Sequence, residues 1–346
     1  MSAASFLPWP LSTFVALAVT PPPAADAPPA SKRYGAGPVL TSAVGHASII
    51  VSAAWKVGFA AAVYHAGWSA AAAAGAATLE PRWVAGIAAR NVLLTWAVGA
   101  CWDFLHLSTW SPLYARLQPL KFSGVPARAA RVAQDAAWAT LSALVATAWE
   151  VLIAHAWAVG WWPRGAGGVP GDAWWAHAPT LVALVCFPYF QIVHFYIIHR
   201  LMHRWYAPGA RPSSRWLPDV GAWLYKHVHY LHHRARDPTA FSGIAMHPVE
   251  SAVFFTTMPI AALLGAHPIV VLHASFYNIV VAMVGHESYG DPSTGGFDHY
   301  VHHVCVDCNY GGTFVPIDWL MGTAVRDEDE FAARFGLRGK GDKKAA

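Results

Sequence analysis

Long apolar runs separated by short basic segments set the plan of this 346-residue chain. Four stretches are apolar over the roughly 20 residues that a helix needs to cross a bilayer: Ala47–Ala77, Trp83–Trp110, Ala133–Trp162 and Trp174–His199. A fifth run, Ser251–Gly285, is broken by Pro259 and by Ala266-His267-Pro268. Proline ends or kinks a helix, so this run reads as a short hairpin that dips into the membrane and returns. No internal repeat and no strand-rich region is present. The pattern predicts an all-α, polytopic membrane protein with four transmembrane helices, a re-entrant hairpin and a cytosolic, helical, His-rich cap. It divides into a flexible arm over 1–40, transmembrane helices 1–3 and the start of the fourth over 41–186, a histidine-rich region over 187–323, and a cytosolic tail over 324–346.

Composition agrees. Charged residues are 12% of the chain and apolar residues 55%, where a soluble domain has roughly 25% charged; mean hydropathy is +0.34. The net charge of +4 is spread over loops that flank the apolar runs, which fits the positive-inside rule and not nucleic-acid binding. Arg116, Lys121, Arg128 and Arg131 place the loop between the second and third spans in the cytosol, whereas Pro163–Ala173, with only Arg164, faces the other side. Lys32 and Arg33 put the N-terminus in the cytosol, and the basic region after His199 follows it there. The first 30 residues lack a basic leader before their apolar run, which argues against a cleaved secretory signal. The ending Lys343-Lys344-Ala-Ala resembles a dilysine retrieval signal, so the expected location is the endoplasmic reticulum membrane. A plastid membrane is the alternative, because no acidic residue precedes Asp26.

The chemistry lies in eight histidines in three boxes: His199-Arg-Leu-Met-His203, His229-Tyr-Leu-His232-His233 and His299-Tyr-Val-His302-His303. Helix positions three and four apart share a face, so HxxxH aims two imidazoles one way and HxxHH aims three. Neutral imidazole ligates iron, zinc and copper, whereas calcium and magnesium prefer oxygen. Burying eight such rings beside a membrane with no metal would leave much polarity unsatisfied. The boxes follow the spans, in Arg/Lys-bearing segments, and so differ from the midplane ligands of transporters. A non-catalytic membrane metal-binding or transport protein is the competing class.

Phe195-Tyr-Ile-Ile-His-Arg-Leu-Met-His203 and Leu224-Tyr-Lys-His-Val-His-Tyr-Leu-His-His233 resemble the first two histidine boxes of the fatty acid hydroxylase/sterol desaturase superfamily. The likeness continues through Asp237-Pro-Thr-Ala, Met246-His-Pro-Val-Glu250, His286, Asn309-Tyr-Gly311 and Asp318-Trp-Leu-Met-Gly-Thr323, and covers Phe187 to about Thr323. The wording around Asp307-x-Asn-Tyr-Gly311 is similar to sterol desaturases, and His-Pro-Val-Glu is shared with sterol methyl oxidases. The resemblance implies a non-haem di-iron oxidoreductase that hydroxylates or desaturates a membrane lipid with dioxygen as co-substrate. A sterol is the expected substrate, with a fatty acid or sphingolipid as the alternative. It implies His286 as a ninth ligand beside His199, His203, His229, His232, His233, His299, His302 and His303. His247 is a second-tier ligand candidate that could instead cap the helix begun by Pro248.

Electrons must then come from outside. Gly165-Ala-Gly-Gly-Val-Pro-Gly171 lacks the GxGxxG spacing and no strand precedes it, and no His-Pro-Gly-Gly word of a fused haem domain occurs. The expected partners are a membrane haem cytochrome and its NAD(P)H-dependent reductase. Cys305-Val-Asp-Cys308 has no second CxxC to complete a zinc knuckle and reads as incidental thiols. Glu150 and Asp103 fall in or near spans, where ionisable groups are functional by default, although Asp103 could snorkel. Asp298 and Asp307 flank the third box and could orient ring N–H groups. His227, on the face opposite His229, and His194 read as structural or as supports behind the ligands. The insertion Arg204–Asp219 separates the first two boxes more widely than the family pattern and could alter the substrate entrance or the partner surface.

Overall fold

The computed structural model describes residues 54–65, 70–121, 128–163, 174–205, 218–286, 296–312, 315–325 and 330. The N-terminal arm, most of the 204–219 insertion, most of the 163–173 loop and the Lys343-Lys344 ending lie outside the described residues. The described residues hold helices and turns, and no β-strand.

Residues 54–65 form α1, Ala70–Thr78 α2 and Pro81–Leu107 α3. Helix α4 is Ala129–Ala158 and α5 is Ala178–Leu201. Pro81 opens α3 at a position where its missing N–H costs nothing. Among the described residues three helices, α3, α4 and α5, are long and apolar enough to cross a membrane. The first expected span, Ala47–Ala77, is seen only as α1 and α2, with residues 66–69 between them undescribed. Neither described piece alone has the length of a span, so the described residues hold three of the four expected candidates.

Within lipid, helices gain little by hiding apolar surface from one another, so close packing and polar contacts join them. Ala139, Ala143 and Ala146 of α4 are fully buried and let its backbone approach its neighbours, while Leu141, Leu144 and Leu152 point outwards. Asn91 Nδ2 donates to Thr147 Oγ1 (3.1 Å) between α3 and α4. Asp103, for which snorkelling was the alternative to a functional role, is buried and accepts from the Ala240 N–H at 2.7 Å. It holds the 3-10 turn Ala240–Ile244, a bridge across 137 residues that no local pattern announces.

The region after α5 begins with α6, which runs as α-helix over Val220–Leu224, as a π-turn over Tyr225–His229, and as α-helix again over Tyr230–His233. Then come α7 (Pro248–Phe254), α8 (Thr257–Leu263) and α9 (Pro268–Val284). Two identical words start α7 and α9. His247 and His267 each accept, through Nδ1, the N–H two residues on at 3.2 Å, and Pro248 and Pro268 follow them. Between α8 and α9 the chain turns at Gly265, whose φ of +74° suits glycine. Of the 17 residues of α9, 13 are buried, so it is a core helix packed by α8, α5, α3, α4 and the 240–244 turn. Gly243 of that turn lies against the Ala282 carbonyl, with no room for a Cβ. Pro248–Leu263 and Pro268–Val284 are apolar but shorter than a span. Helix α10, Gly296–Cys305, completes the fold around the histidines.

Candidate metal centre

Four segments converge at one end of the bundle. The last turn of α5 brings His199, and His203 lies two residues beyond its end. The close of the π-turn and the following helical turn bring His229, His232 and His233; π-turns often mark functional sites. Just past α9 comes His286, and α10 carries His299, His302 and His303. Gly221 seats α6 on the first box: a Cβ there would collide with the His203 carbonyl and the Trp205 indole.

The nine rings form two groups. His199, His203, His229, His233 and His302 form one; His232, His286, His299 and His303 form the other. Within each group the candidate ligand atoms all lie within 4.8 Å of one another. This corrects the expectation that HxxHH aims three rings one way. In the second box the i and i+4 rings join the five-histidine group and the i+3 ring joins the four. In the third box the assignment is reversed. Helix geometry explains the division, because i and i+4 differ by about 40° around the axis whereas i+3 and i+4 differ by about 100°. Each of these two helices therefore contributes to both groups.

The proton positions can be argued from the partners. His199 Nδ1 faces the Tyr310 carbonyl, His302 Nδ1 the Cys308 carbonyl and His286 Nδ1 the Ala282 carbonyl, each at 2.6 Å. A carbonyl only accepts, so these three Nδ1 atoms carry hydrogen and their Nε2 atoms turn lone pairs inwards. There His199 Nε2 is 2.9 Å from His229 Nε2 and 3.2 Å from His203 Nε2, and His302 Nε2 is 3.1 Å from His233 Nε2. In the second group His286 Nε2 is 3.0 Å from His232 Nε2 and 2.7 Å from His299 Nε2. Extra protons are a poor remedy for such crowding. Burial pushes His203, His229, His232, His233, His299, His302 and His303 well below the ordinary imidazole value, and His286 to about 4. A metal cation fits. Two nitrogens at right angles around an ion bonded at about 2.1 Å stand about 3.0 Å apart, which is the spacing seen here.

A shell of acceptors holds the rings. Glu250 Oε1 lies 2.7 Å from His229 Nδ1, with both side chains buried. Glu250 belongs to the His-Pro-Val-Glu word, yet sequence reasoning gave it no role; a carboxylate two residues past a His-Pro cap was the available signal. Burial pushes its carboxyl well above the ordinary range, and a cation held by His229 would draw it back to the charged form. The Tyr310 and Cys308 carbonyls sit on a loop that Asp318 fastens by accepting from the N–H groups of Tyr310 (2.8 Å) and Gly311 (2.7 Å) and from Thr323 Oγ1 (2.7 Å). Val306 and Asn309 have φ of +73° and +50°, uncommon values for residues with a Cβ. Asn309 is held there by bonds to Asp298 O, Val325 O and Val325 N.

Other expected residues fall outside the groups. His247 is a helix cap and belongs to neither. His194 bonds Thr256 Oγ1 at 2.9 Å, and exposed His227 lies against Trp223. Asp307 Oδ1 stands 4.0 Å from His203 Nδ1, beyond hydrogen-bond reach. Asp298 supplies a backbone carbonyl to Asn309, and burial pushes its carboxyl up to about 7. Cys305 and Cys308 are free thiols. A cavity of about 310 Å³ opens beside the cluster, bordered by His233 and His303, one ring from each group, and by Arg131, Arg234 and Arg236.

Residues 183–323 match the fatty acid hydroxylase family. The matched segment holds all nine histidines. Over 114 residues the chain is 33% identical to a very-long-chain aldehyde decarbonylase of Oryza sativa subsp. indica, covering 29% of this chain and 43% of that protein. It is 30% identical over 146 residues to methylsterol monooxygenase 2-2 of Arabidopsis thaliana (38% and 51%). With lathosterol oxidase of Rattus norvegicus it shares 27% over 159 residues (43% and 46%). The chain thus spans about half, or less, of the length of these relatives. No solved structure matches it.

Proposed function

We propose that this chain is a membrane oxidoreductase that oxidises an unactivated C–H bond of a lipid, most simply a sterol. Two iron ions and dioxygen serve the reaction. The reading rests above all on the reciprocal division of the second and third boxes, which gathers nine inward-facing imidazoles into two adjacent groups. The family match and relatives named as a sterol monooxygenase and a sterol oxidase support it. His199, His203, His229, His233 and His302 would hold one ion, and His232, His286, His299 and His303 the other. A bound iron pair supplies the dioxygen activation that C–H abstraction requires. The protein's part is to keep the rings neutral, oriented and dry. Imidazole suits an oxidising site better than thiolate, and Cys305 and Cys308 stand outside both groups.

The membrane reading completes the proposal. The first span is formed by the α1–α2 region, and α3, α4 and α5 are the next three. Helices α7–α9 are a hairpin that returns to the cytosol, where the boxes and both termini lie, and the protein resides in the endoplasmic reticulum. Electrons come from a membrane haem cytochrome and its NAD(P)H-dependent reductase, approaching on the aqueous side where Arg131, Arg234 and Arg236 border the cluster. Elemental analysis of purified protein tests the metal, with two irons per chain expected. Lipid analysis of cells lacking the protein tests the reaction, with an unmodified sterol-like lipid accumulating. His232→Ala should abolish turnover, whereas His227→Ala should not. Full turnover by a protein that binds one iron or none would refute the assignment.

A further inference from the structure

Away from the histidines, α2, α3 and α4, with Val63 of α1, line a second, open cavity of about 400 Å³, within the range of small-molecule sites. Its walls are mainly alanines with Trp83, Gly86 and Trp157; the exposed Arg82 borders it, and two opposite charges, Arg90 and the buried Glu150, meet in it. Glu150 is only 3% exposed. Its Oε2 accepts from the Arg90 guanidinium and, at 3.4 Å, from Asn91 Nδ2. Among the described residues its Oε1 makes no hydrogen bond, although the residue lines the cavity. An ion pair within candidate spans is costly and marks a functional position. A carboxylate can only accept, so the free oxygen calls for a donor. An anion in the cavity would meet Glu150, and a second cation would meet Arg90. An uncharged donor avoids both penalties.

The cavity is separate from the metal centre. Arg131 borders the pocket that reaches His233 and His303, and Glu150 lies 19 residues further along the same helix, or about 28 Å at the α-helical rise. We infer that this cavity is a second lipid site, which takes an apolar molecule bearing one hydroxyl and receives that hydroxyl on Glu150 Oε1. The shared chemistry of a sterol and a long-chain alcohol satisfies it. The inference goes beyond the oxidase reading and does not require that reading to hold.

The test uses the full chain in lipid nanodiscs with a photoactivatable hexadecanol as probe. Label should appear on α2, α3 or α4. Hexadecanol should displace the probe at least about tenfold better than hexadecyl methyl ether, because the ether has no donor and a hydrogen bond to a charged group is worth that much. Gly86→Leu should cut labelling by a similar factor, since an added Cβ at Gly86 meets nothing within 4 Å and leucine favours the helix. Metal content should not change, because none of the nine clustered histidines lines this cavity. Cholesterol displacing the probe better than hexadecanol would assign the site to ring lipids, and the reverse order to straight chains. Equal competition by the ether, label confined to other helices, or undiminished labelling of folded Gly86→Leu would each overturn the inference. The comparison of alcohol with ether needs no variant, so it decides even if Gly86→Leu fails to fold.

Discussion

Replacing Glu250 by glutamine removes a charge from beside one histidine and leaves the volume unchanged. Glu250 Oε1 is 2.7 Å from His229 Nδ1 in a buried pair. A hydrogen bond that involves a charged group contributes about 1.5–3 kcal/mol. Partners behind metal-bound histidines commonly govern about 10- to 100-fold in metal affinity. The two ranges agree, because tenfold is about 1.4 kcal/mol. His229 belongs to the five-histidine group alone. Glu250→Gln should therefore weaken one ion by about 10- to 100-fold and leave the ion of His232, His286, His299 and His303 in place. Purified protein would be dialysed against graded chelator and its metal counted by elemental analysis, with circular dichroism to follow the fold. The variant should step down to one ion per chain at a chelator concentration where the unsubstituted protein keeps both. If both ions leave together, or neither leaves earlier, the division into two groups is wrong.

Three further predictions follow from the same geometry. Asp318→Ala removes three hydrogen bonds from the loop behind His199 and His302, and should cost roughly 3 kcal/mol in chemical denaturation; a loss well under 1 kcal/mol would contradict the role given to this loop. Gly243→Ala drives a methyl into the Ala282 carbonyl and should destabilise by about 1–3 kcal/mol, measured as a fall in thermal midpoint. Burial lowers the folded-state pKa of the cluster imidazoles, so below an unfolded value of about 6.5 the unfolded chain binds more protons than the folded one. Stability should be full above that pH and decline as pH falls towards the His286 value of about 4; a thermal midpoint that rises between pH 7 and 5 would refute this.

What could be read from the sequence was local, and what was missed was long-range. The apolar runs marked α3, α4 and α5 because a span is a property of about 20 consecutive residues. The boxes marked the ligand candidates because i, i+3 and i+4 are near neighbours on any helix. Which ring serves which group was not legible, since it depends on how α6 and α10 face each other across some 70 residues of chain. The partner of Asp103 lies 137 residues away and that of His199 lies 111 away. His247 illustrates the converse: its His-Pro word already contained the capping alternative, and the structure realises it. Asn309-Tyr-Gly311 and Asp318 stood out in sequence only as family words. Their physical task, aiming two carbonyls at two rings, needs the folded loop to be seen.

The order of the boxes along the chain has a consequence for biogenesis. His199 is translated 104 residues before His303, an interval of roughly 5–20 s at ordinary ribosomal speed. Throughout it the first box is present without His302, and neither group can close until α9, the core helix, is inserted and α10 emerges. A metal delivered during synthesis would meet incomplete and mismatched ligand sets. Maturation should therefore be post-translational, with the apoprotein as a real intermediate that already sits in the membrane. Metal supply would then govern how many finished chains become competent, rather than how many are made.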